Sequence, residues 1–260
     1  MTTALQDYLD VTELSGDLVS QEQVDRIEAR YVWAANGYCK GKAVVELACG
    51  TGQGLGLLSE VSSTLEASDY SEAMVSRVKE HYGTRVDVRC FDAASMPFED
   101  NSKDVLIIFE AIYYLPDIEK FFHECQRVLK TGGYLLIASA NKDLYDFNPS
   151  PYSHIYLGVM EMADQLQSLG FDVEFFASHR VDSVSLLQQI LRPIKKIAVM
   201  FNLVPKSMNA KRILKRLVFG KLIQMPAEIS NNPNCTTPEK ISKSDANNSH
   251  KVIYCAAKLA

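Results

Sequence analysis

The sequence predicts an α/β protein with a doubly wound, mostly parallel sheet of seven strands and a helical insertion between the last two strands. Three observations predict this fold. Strand and helix patterns alternate from residue 43 to residue 140. The run 104–111 is almost continuously apolar, as expected for a parallel strand that is covered on both faces. The first strand of this series leads into a glycine-rich turn at 50–54, which is typical of sheets that bind ligands at their carboxyl edge.

The seven predicted strands are short segments with apolar or alternating patterns. They cover 43–47, 64–69, 85–93, 104–111, 134–140, 171–177 and 251–259. Helices are predicted at 20–36, 53–61, 71–82, 118–129 and 155–169. Ser20 and Ser71 are the expected N-caps, with Gln23 completing a capping box. Gly37 and Gly41 are expected to end the first helix, and the last two strands are expected to pair antiparallel.

The chain divides into three regions by composition. Residues 1–182 with 251–260 have the pattern of the α/β core. Residues 183–229 form a basic helical insertion, and the polar, turn-rich segment 230–250 is predicted to be a flexible loop.

Composition indicates an ordinary cytoplasmic protein. The 260 residues carry a formal net charge of −5, which gives no overall reason to expect nucleic-acid binding. The six cysteines have no zinc-type spacing, so we expect reduced thiols and no metal site. The N-terminal stretch lacks the basic start and apolar core of a signal peptide. No segment approaches the roughly 20 apolar residues that a spanning helix needs.

Acidic residues end the first three predicted strands of the core. Glu46, Asp69 and Asp92 should therefore meet at the carboxyl edge of the sheet, where open parallel sheets bind ligands. Carboxylates there would repel a pyrophosphate but suit a ligand with an ammonium group, ribose hydroxyls and an adenine amine. The alternative for each acid taken singly is a helix cap or a turn former.

Four motifs, in order, resemble those of class I S-adenosylmethionine-dependent methyltransferases. They are ELACGTG at 46–52, the acid in ASDYSEAMV at 67–75, FDAASMPFEDNSKDVLI at 91–107 and RVLKTGGYLLI at 127–137. The resemblance covers about residues 26–180. It implies a Rossmann-like methyltransferase fold and an enzyme that uses S-adenosylmethionine as its cofactor.

The resemblance also implies a role for individual residues. Asp69 would accept hydrogen bonds from the ribose hydroxyls, and Tyr31 lies on an N-terminal helix that, with Arg30 and Trp33, is expected to close over the cofactor. The alternative for these aromatic residues is core packing. The remaining cofactor contacts are implied for the methionine portion at Glu46, Ala48, Cys49, Gly50 and Gly52, for the adenine at Tyr70, Met74, Asp92 and Ala93, and for the methyl end at Phe109 and Glu110. Tyr70 and Met74 have packing as their alternative.

The catalytic residues are predicted near the end of the fourth strand. In the resembling family, a histidine often occupies the position of Tyr113 or Tyr114. Tyrosine stands there in this chain, so we predict Tyr113 beside the acceptor and His154 as the general base. His154 follows the fifth strand and should lie on the same edge of the sheet. Its alternative is a surface or capping histidine.

The insertion is strongly basic. Residues 183–227 contain nine Lys or Arg residues and no Asp or Glu, interleaved with apolar residues. Three interpretations stay open: a packing lobe or homodimer surface, a recognition element for an anionic acceptor, and a segment that contacts anionic membrane at the inner face. If the acceptor is a lipid-linked sugar, the insertion could both recognise the anionic acceptor and contact the membrane. A weak likeness to methyltransferases of bacterial polysaccharide assembly points the same way.

The preferred function is O-methylation of a sugar or another small hydroxylated metabolite. Two alternatives remain at this point. One is a methyltransferase-fold protein that binds without turnover, and the other is a quinone or natural-product methyltransferase with an apolar acceptor.

Overall fold

A computed structural model describes residues 14–181 and 221–260, and the structural statements below refer to these residues. The ten strands are β1 (Leu18–Val19), β2 (Ala43–Leu47), β3 (Thr64–Asp69), β4 (Asp87–Cys90), β5 (Lys103–Phe109), β6 (Leu129–Ala140), β7 (Phe171–Arg180), β8 (Ile223–Gln224), β9 (Glu239–Ile241) and β10 (His250–Leu259). The α-helices are α1 (Gln21–Ala34), α2 (Leu55–Val61), α3 (Glu72–Tyr82), α4 (Ile118–Val128) and α5 (Val159–Ser168).

Eight of these strands form one sheet in the order β4-β3-β2-β5-β6-β10-β7-β9. The pairs β3/β4, β2/β3, β2/β5 and β5/β6 are parallel, while β10 runs antiparallel to both β6 and β7. The predicted fold class and the antiparallel last two strands are therefore confirmed. The sequence predicted seven strands in this sheet, and the eighth is β9, a three-residue edge strand within the segment expected to be a loop. Strands β1 and β8 form a separate two-stranded sheet.

Helices cover the sheet on both faces, which explains the apolar run of β5. Alternate β5 residues point to opposite layers. Val105 and Ile107 belong to a core cluster with Ile27 of α1, whereas Leu106 belongs to the opposite cluster, with Phe121 of α4. Burial on both faces leaves no polar position in the middle of the strand.

Several boundaries differ from the predicted ones, including those of α1, β6 and α5. Helix α1 does have the predicted capping box, in which Ser20 Oγ accepts from the Gln23 amide at 3.3 Å. Gly37 does not end the helical path, because a π-helical turn continues over Ala35–Cys39. Strand β6 begins at Leu129, since the predicted helix stop around Gly132 forms an irregular first part of the strand. Helix α5 begins at Val159 rather than 155.

The segment that returns from the insertion is attached to the core beside the glycine-rich turn. The Ile229 amide donates to the Gln53 carbonyl at 2.9 Å, and Glu228 pairs with Arg85 and with His81 of α3. The helices predicted within 183–220, with most of the nine basic residues, lie outside the described residues. Within the described ranges, no helix is both long and apolar enough to cross a bilayer.

Candidate functional site

A cleft of about 620 Å³ opens at the carboxyl edge of the parallel strands. Strands β2 to β5 contribute the residues that follow their ends, and α1 supplies one wall. The lining includes ten of the thirteen predicted cofactor residues and both predicted catalytic residues. They are Tyr31, Ala48, Cys49, Gly50, Asp69, Tyr70, Asp92, Ala93, Phe109 and Glu110, with Tyr113 and His154. Most of the residues that the sequence predicted for the site therefore line one cavity.

The glycine-rich turn after β2 has a left-handed backbone conformation that residues other than glycine rarely adopt. Ala48, Gly50 and Gly52 all have positive φ, at 52°, 57° and 78°. Gly50 lines the cleft, so its missing side chain lets a ligand approach the backbone. Gly52 does not line it. An added Cβ there would come within 2.8 Å of Leu55, so this glycine serves packing behind the turn.

Tyr82, at the end of α3, fixes this turn from behind. Its hydroxyl donates to the Gly52 carbonyl at 2.6 Å and accepts from the Gly56 amide at 3.1 Å. The side chain is buried, so both backbone groups depend on it for their hydrogen bonds. The sequence carried no signal for this contact, because it joins residues that lie far apart along the chain.

Asp69 ends β3 and is held by two backbone groups. One carboxylate oxygen accepts from the Gly50 amide and the other from the Ser71 amide, both at 2.9 Å. The side chain thus links the glycine-rich turn to the start of α3 and lines the cleft between them. Asp69 can therefore cap the turn before α3 and still be available to a ligand in the cleft.

Asp92 and Tyr70 lie on the outer side of the cleft. The Asp92 carboxylate accepts from the Ala94 amide at 2.8 Å and is exposed, with the Ala93 backbone next to it. The Tyr70 ring is 48% exposed and lines the cleft. Met74, in contrast, is only 1% exposed and is absent from the lining, so the packing alternative describes it.

Glu46 does not reach the cleft directly. It is 1% exposed, and the Tyr31 hydroxyl, on the cleft wall, donates a hydrogen bond to its Oε1. Oε2 is buried with no hydrogen-bond partner in the described part of the chain. Burial raises the pKa of the Glu46 carboxyl to about 7, and the Tyr31 hydrogen bond only partly offsets this. Tyr31 therefore lies between Glu46 and the cleft, and contact of Glu46 with the cofactor stays a prediction.

The end of β5 contributes a second carboxylate with a constrained backbone. Glu110 has a φ of 53°, and its Oε2 accepts from the Tyr113 hydroxyl at 3.1 Å. The Tyr113 ring stacks on Tyr156 at a centroid distance of 4.2 Å. Burial, and then the charge of Glu110, raise the pKa of the Tyr113 phenol well above its ordinary value. Tyr113 is consequently a neutral hydrogen-bond donor at physiological pH.

His154 lies on the cleft in an extended segment before α5. Its backbone amide donates to the Tyr113 carbonyl at 2.8 Å, which ties the two predicted catalytic residues together. The residue is exposed. Its imidazole is accessible from solvent and from the cleft, as a proton acceptor for a bound molecule must be.

Several residues of the cleft were not predicted from the sequence. Gln23, Arg26, Gln53 and Lys251 all line the cavity. Gln23 and Arg26 lie on the same face of α1 as Arg30, so helical spacing could have identified them. Lys251 could not be found this way, because it reaches the cleft only through the antiparallel pairing of β10 with β6.

The remaining predicted residues of α1 divide between cleft and core. Arg30 lines the cleft beside Tyr31. Trp33 does not, and its indole packs edge-on against Tyr38 and Tyr254, at centroid distances of 5.0 and 5.2 Å. Core packing, the alternative for the aromatic residues, thus describes Trp33, whereas Tyr31 belongs to the same core cluster and also lines the cleft.

Comparisons with known proteins relate this chain to methyltransferases. Residues 45–137 match the model of a methyltransferase domain family. A probable S-adenosylmethionine-dependent methyltransferase of Mycolicibacterium smegmatis is 36% identical over 140 residues, which cover 52% of this chain and 54% of that protein. A demethylmenaquinone methyltransferase of Staphylococcus aureus is 30% identical over 155 residues, covering 58% of this chain and 64% of that one. The chain thus spans a little over half the length of such relatives.

A solved structure extends the likeness to nearly the whole fold. The crystal structure of a SAM-dependent methyltransferase from Archaeoglobus fulgidus aligns with a TM-score of 0.56 at 19% identity, over 92% of this chain and 94% of that chain. At this identity the likeness concerns the fold alone. Taken with the family match and the sheet order, it leads to one conclusion. Residues 45–137 form a methyltransferase domain of the class I, S-adenosylmethionine-dependent type.

Proposed function

We propose that this chain transfers the methyl group of S-adenosylmethionine to a hydroxyl oxygen of a small acceptor molecule. The observation that carries the proposal is the pair of carboxylates, Asp69 and Glu110, that line one cleft on either side of an open glycine-rich turn. Carboxylates on both sides of this turn favour a cationic, phosphate-free adenosine ligand over a dinucleotide.

The residues of the cleft fit this cofactor. Asp69 is oriented by two backbone amides, as an acceptor for ribose hydroxyls should be. Gly50 leaves room for the ligand beside the turn. The methionine end of the cofactor would contact the Tyr31 hydroxyl, which is hydrogen-bonded to Glu46. After a shift of the Tyr31 ring, it would contact the unpartnered Oε2 of Glu46 itself. When bound, S-adenosylmethionine supplies a methyl group on a positively charged sulfur.

The chain's own contribution to the reaction is positioning and removal of a proton. The wall formed by Glu110, Tyr113 and Tyr114 would hold the acceptor in line with the methyl group, and such positioning can supply roughly 7–11 kcal/mol. His154 would accept the hydroxyl proton on an imidazole nitrogen. Tyr113, as a neutral donor, would hold Glu110 and the acceptor in place rather than act as the base.

The test is turnover with purified protein. S-adenosylhomocysteine formation is measured with a panel of nucleotide sugars, hydroxylated metabolites and phenols as acceptors. His154→Gln should lower kcat by roughly 10²- to 10⁴-fold. His123→Gln, on the exposed face of α4, is the matched control. Binding of S-adenosylhomocysteine without turnover on any acceptor would support the non-catalytic alternative instead.

A quinone or phenolic acceptor is a second candidate. Aromatic rings form much of the cleft wall near the methyl end, namely Phe109, Tyr113 and Tyr114, and Tyr113 already stacks on another ring. The matched relative from Staphylococcus aureus is named for a quinone substrate. Faster turnover with phenols than with sugars would favour this candidate.

The roles suggested for the basic insertion remain proposals about residues 183–227. An acceptor attached to a lipid, such as a precursor of polysaccharide, would place the protein at the inner face of a membrane. Sedimentation with vesicles that contain or lack anionic lipid tests this, and binding that does not depend on salt or on anionic lipid would count against it.

A further inference from the structure

The carboxylates and the cations of the cleft lie on different strands of the sheet. Asp69 ends β3 and Asp92 follows β4, on one side of β2, and Glu110 follows the neighbouring central strand β5. Lys251 belongs to β10, which lies beyond β5 and β6 on the other side. With strands about 4.8 Å apart, the Lys251 strand is roughly 19 Å from β3. Helix α1 adds Arg26 to the basic end.

Arg26 and Lys251 are brought together by a shared carboxylate. Glu22 Oε1 pairs with Arg26 at 2.5 Å and with Lys251 at 2.6 Å. Burial of Glu22 would raise its pKa, but Arg26 and Lys251 outweigh burial and lower it to about 2. Glu22 is therefore ionised, and the three groups together keep one positive charge facing the cleft.

Arg26 also retains hydrogen-bonding capacity. Its Nε is buried and has no hydrogen-bond partner among the described residues. Because this atom is buried, an anion in the cleft would contact the exposed part of the guanidinium, whose side chain is 35% exposed. A guanidinium next to a lysine ammonium is an arrangement that binds carboxylate or phosphate groups through two or more charged hydrogen bonds. The acidic end of the cleft would repel such a group, so only the basic end can receive it.

We propose that Arg26 and Lys251 form a subsite for an oxyanion, a carboxylate or a phosphate, carried by the methyl acceptor. This inference rests on the proposed function and narrows its substrate class to anionic acceptors. The β10 strand lies two strands beyond β5, about 10 Å along the sheet, so the anionic group and the methylated hydroxyl occupy separate parts of the acceptor. Glu22 holds the two cations in place and competes with the anion for them.

The test is calorimetric titration with pyrophosphate and with malonate at constant ionic strength, in the presence of saturating S-adenosylhomocysteine. Arg26→Gln combined with Lys251→Gln should weaken binding of the preferred probe at least tenfold. Lys130→Gln should leave it within twofold, because Lys130 pairs with Asp104 at the opposite edge of the sheet. Glu22→Gln should tighten it at least threefold. The preference between the two probes identifies the phosphate or the carboxylate as the bound group.

Two outcomes would overturn the subsite. One is unchanged probe binding in the double variant with its thermal unfolding intact. The other is a parallel tenfold loss of S-adenosylhomocysteine affinity, which would assign the two cations to the methionine carboxylate of the donor. Failure of the proposed function has a different signature, since wild-type protein would then not bind S-adenosylhomocysteine while its binding of the anionic probe could still be measured.

Discussion

At the scale of single residues, the proposed donor site depends most on Asp69. Its two oxygens accept from the Gly50 and Ser71 amides, so it fixes the local backbone, and it also lines the cleft. Glu46 lies deeper and acts through Tyr31. These two acids come from the same sequence pattern, an acid at a strand end, yet they differ in burial and therefore in chemistry.

Replacing Asp69 should separate ligand binding from folding. Asp69→Ala removes a charged acceptor of ribose hydroxyls, at about 1.5–3 kcal/mol for each hydrogen bond, so S-adenosylhomocysteine affinity should fall at least 10-fold. Asp87→Ala, at the amino end of β4, is the matched control and should bind normally. Calorimetry on both variants checks this, and an unchanged affinity in Asp69→Ala would remove the residue from the site.

Glu46 should make stability depend on pH. Burial raises its pKa from 4.5 to about 7 in the folded protein. Between these values the folded state holds a proton that the unfolded state releases, so the stability of the wild type should fall as pH rises through this window. Glu46→Gln keeps an acceptor for Tyr31 but cannot ionise. Its stability relative to wild type should increase between pH 5 and pH 8 by up to about 3 kcal/mol.

Denaturant unfolding of both proteins at the two pH values measures this difference. A constant difference between wild type and Glu46→Gln across that range would show that Glu46 ionises normally. Saturating S-adenosylhomocysteine should reduce the pH dependence if the methionine ammonium reaches the Glu46 carboxylate.

At the scale of elements, the site depends on how α1 packs over the glycine-rich turn. Tyr31 of α1 lies directly against Gly54, the residue just before α2. A Cβ at Gly54 would be 2.1 Å from the Tyr31 ring. The third glycine of the turn therefore permits the helix to approach, and the approach permits the Tyr31–Glu46 hydrogen bond.

Gly54→Ala should disturb this packing without touching the ligand. Displacement of the Tyr31 ring should destabilise the fold by about 1–3 kcal/mol and weaken S-adenosylhomocysteine binding. Gly37→Ala is the matched control, since a Cβ there has no atom within 4 Å. Thermal unfolding and calorimetry on both variants test the coupling. Equal stability of the two variants would mean that α1 does not press on the turn as described.

The elements also explain which parts of the structure were predictable. Strand β5 and the capped start of α1 were found because their residues obey local rules, burial on both faces and a Ser20–Gln23 box. Strand β9 was missed because its sequence is polar and its pairing with β7 is long-range. Lys251 was missed as a site residue for the same reason, since only the position of β10 brings it to the cleft.

At the scale of the whole molecule, the strand order produces a cleft with an acidic end and a basic end. The chain order of the first three core strands puts Asp69 and Asp92 on one side, and the late insertion of β10 beside β6 puts Lys251 on the other. A cationic donor and an anionic acceptor would then be oriented toward each other by the fold itself. Acids at strand ends predicted the first half of this arrangement, whereas the second half required the three-dimensional structure.

The most direct test of the central claim is a pair of calorimetric titrations of the wild-type chain, one with S-adenosylhomocysteine and one with NAD. We expect saturable 1:1 binding of S-adenosylhomocysteine, with NAD at least 100-fold weaker because its pyrophosphate would lie against the acidic end of the cleft. Tighter binding of NAD, or no binding of S-adenosylhomocysteine at all, would contradict it.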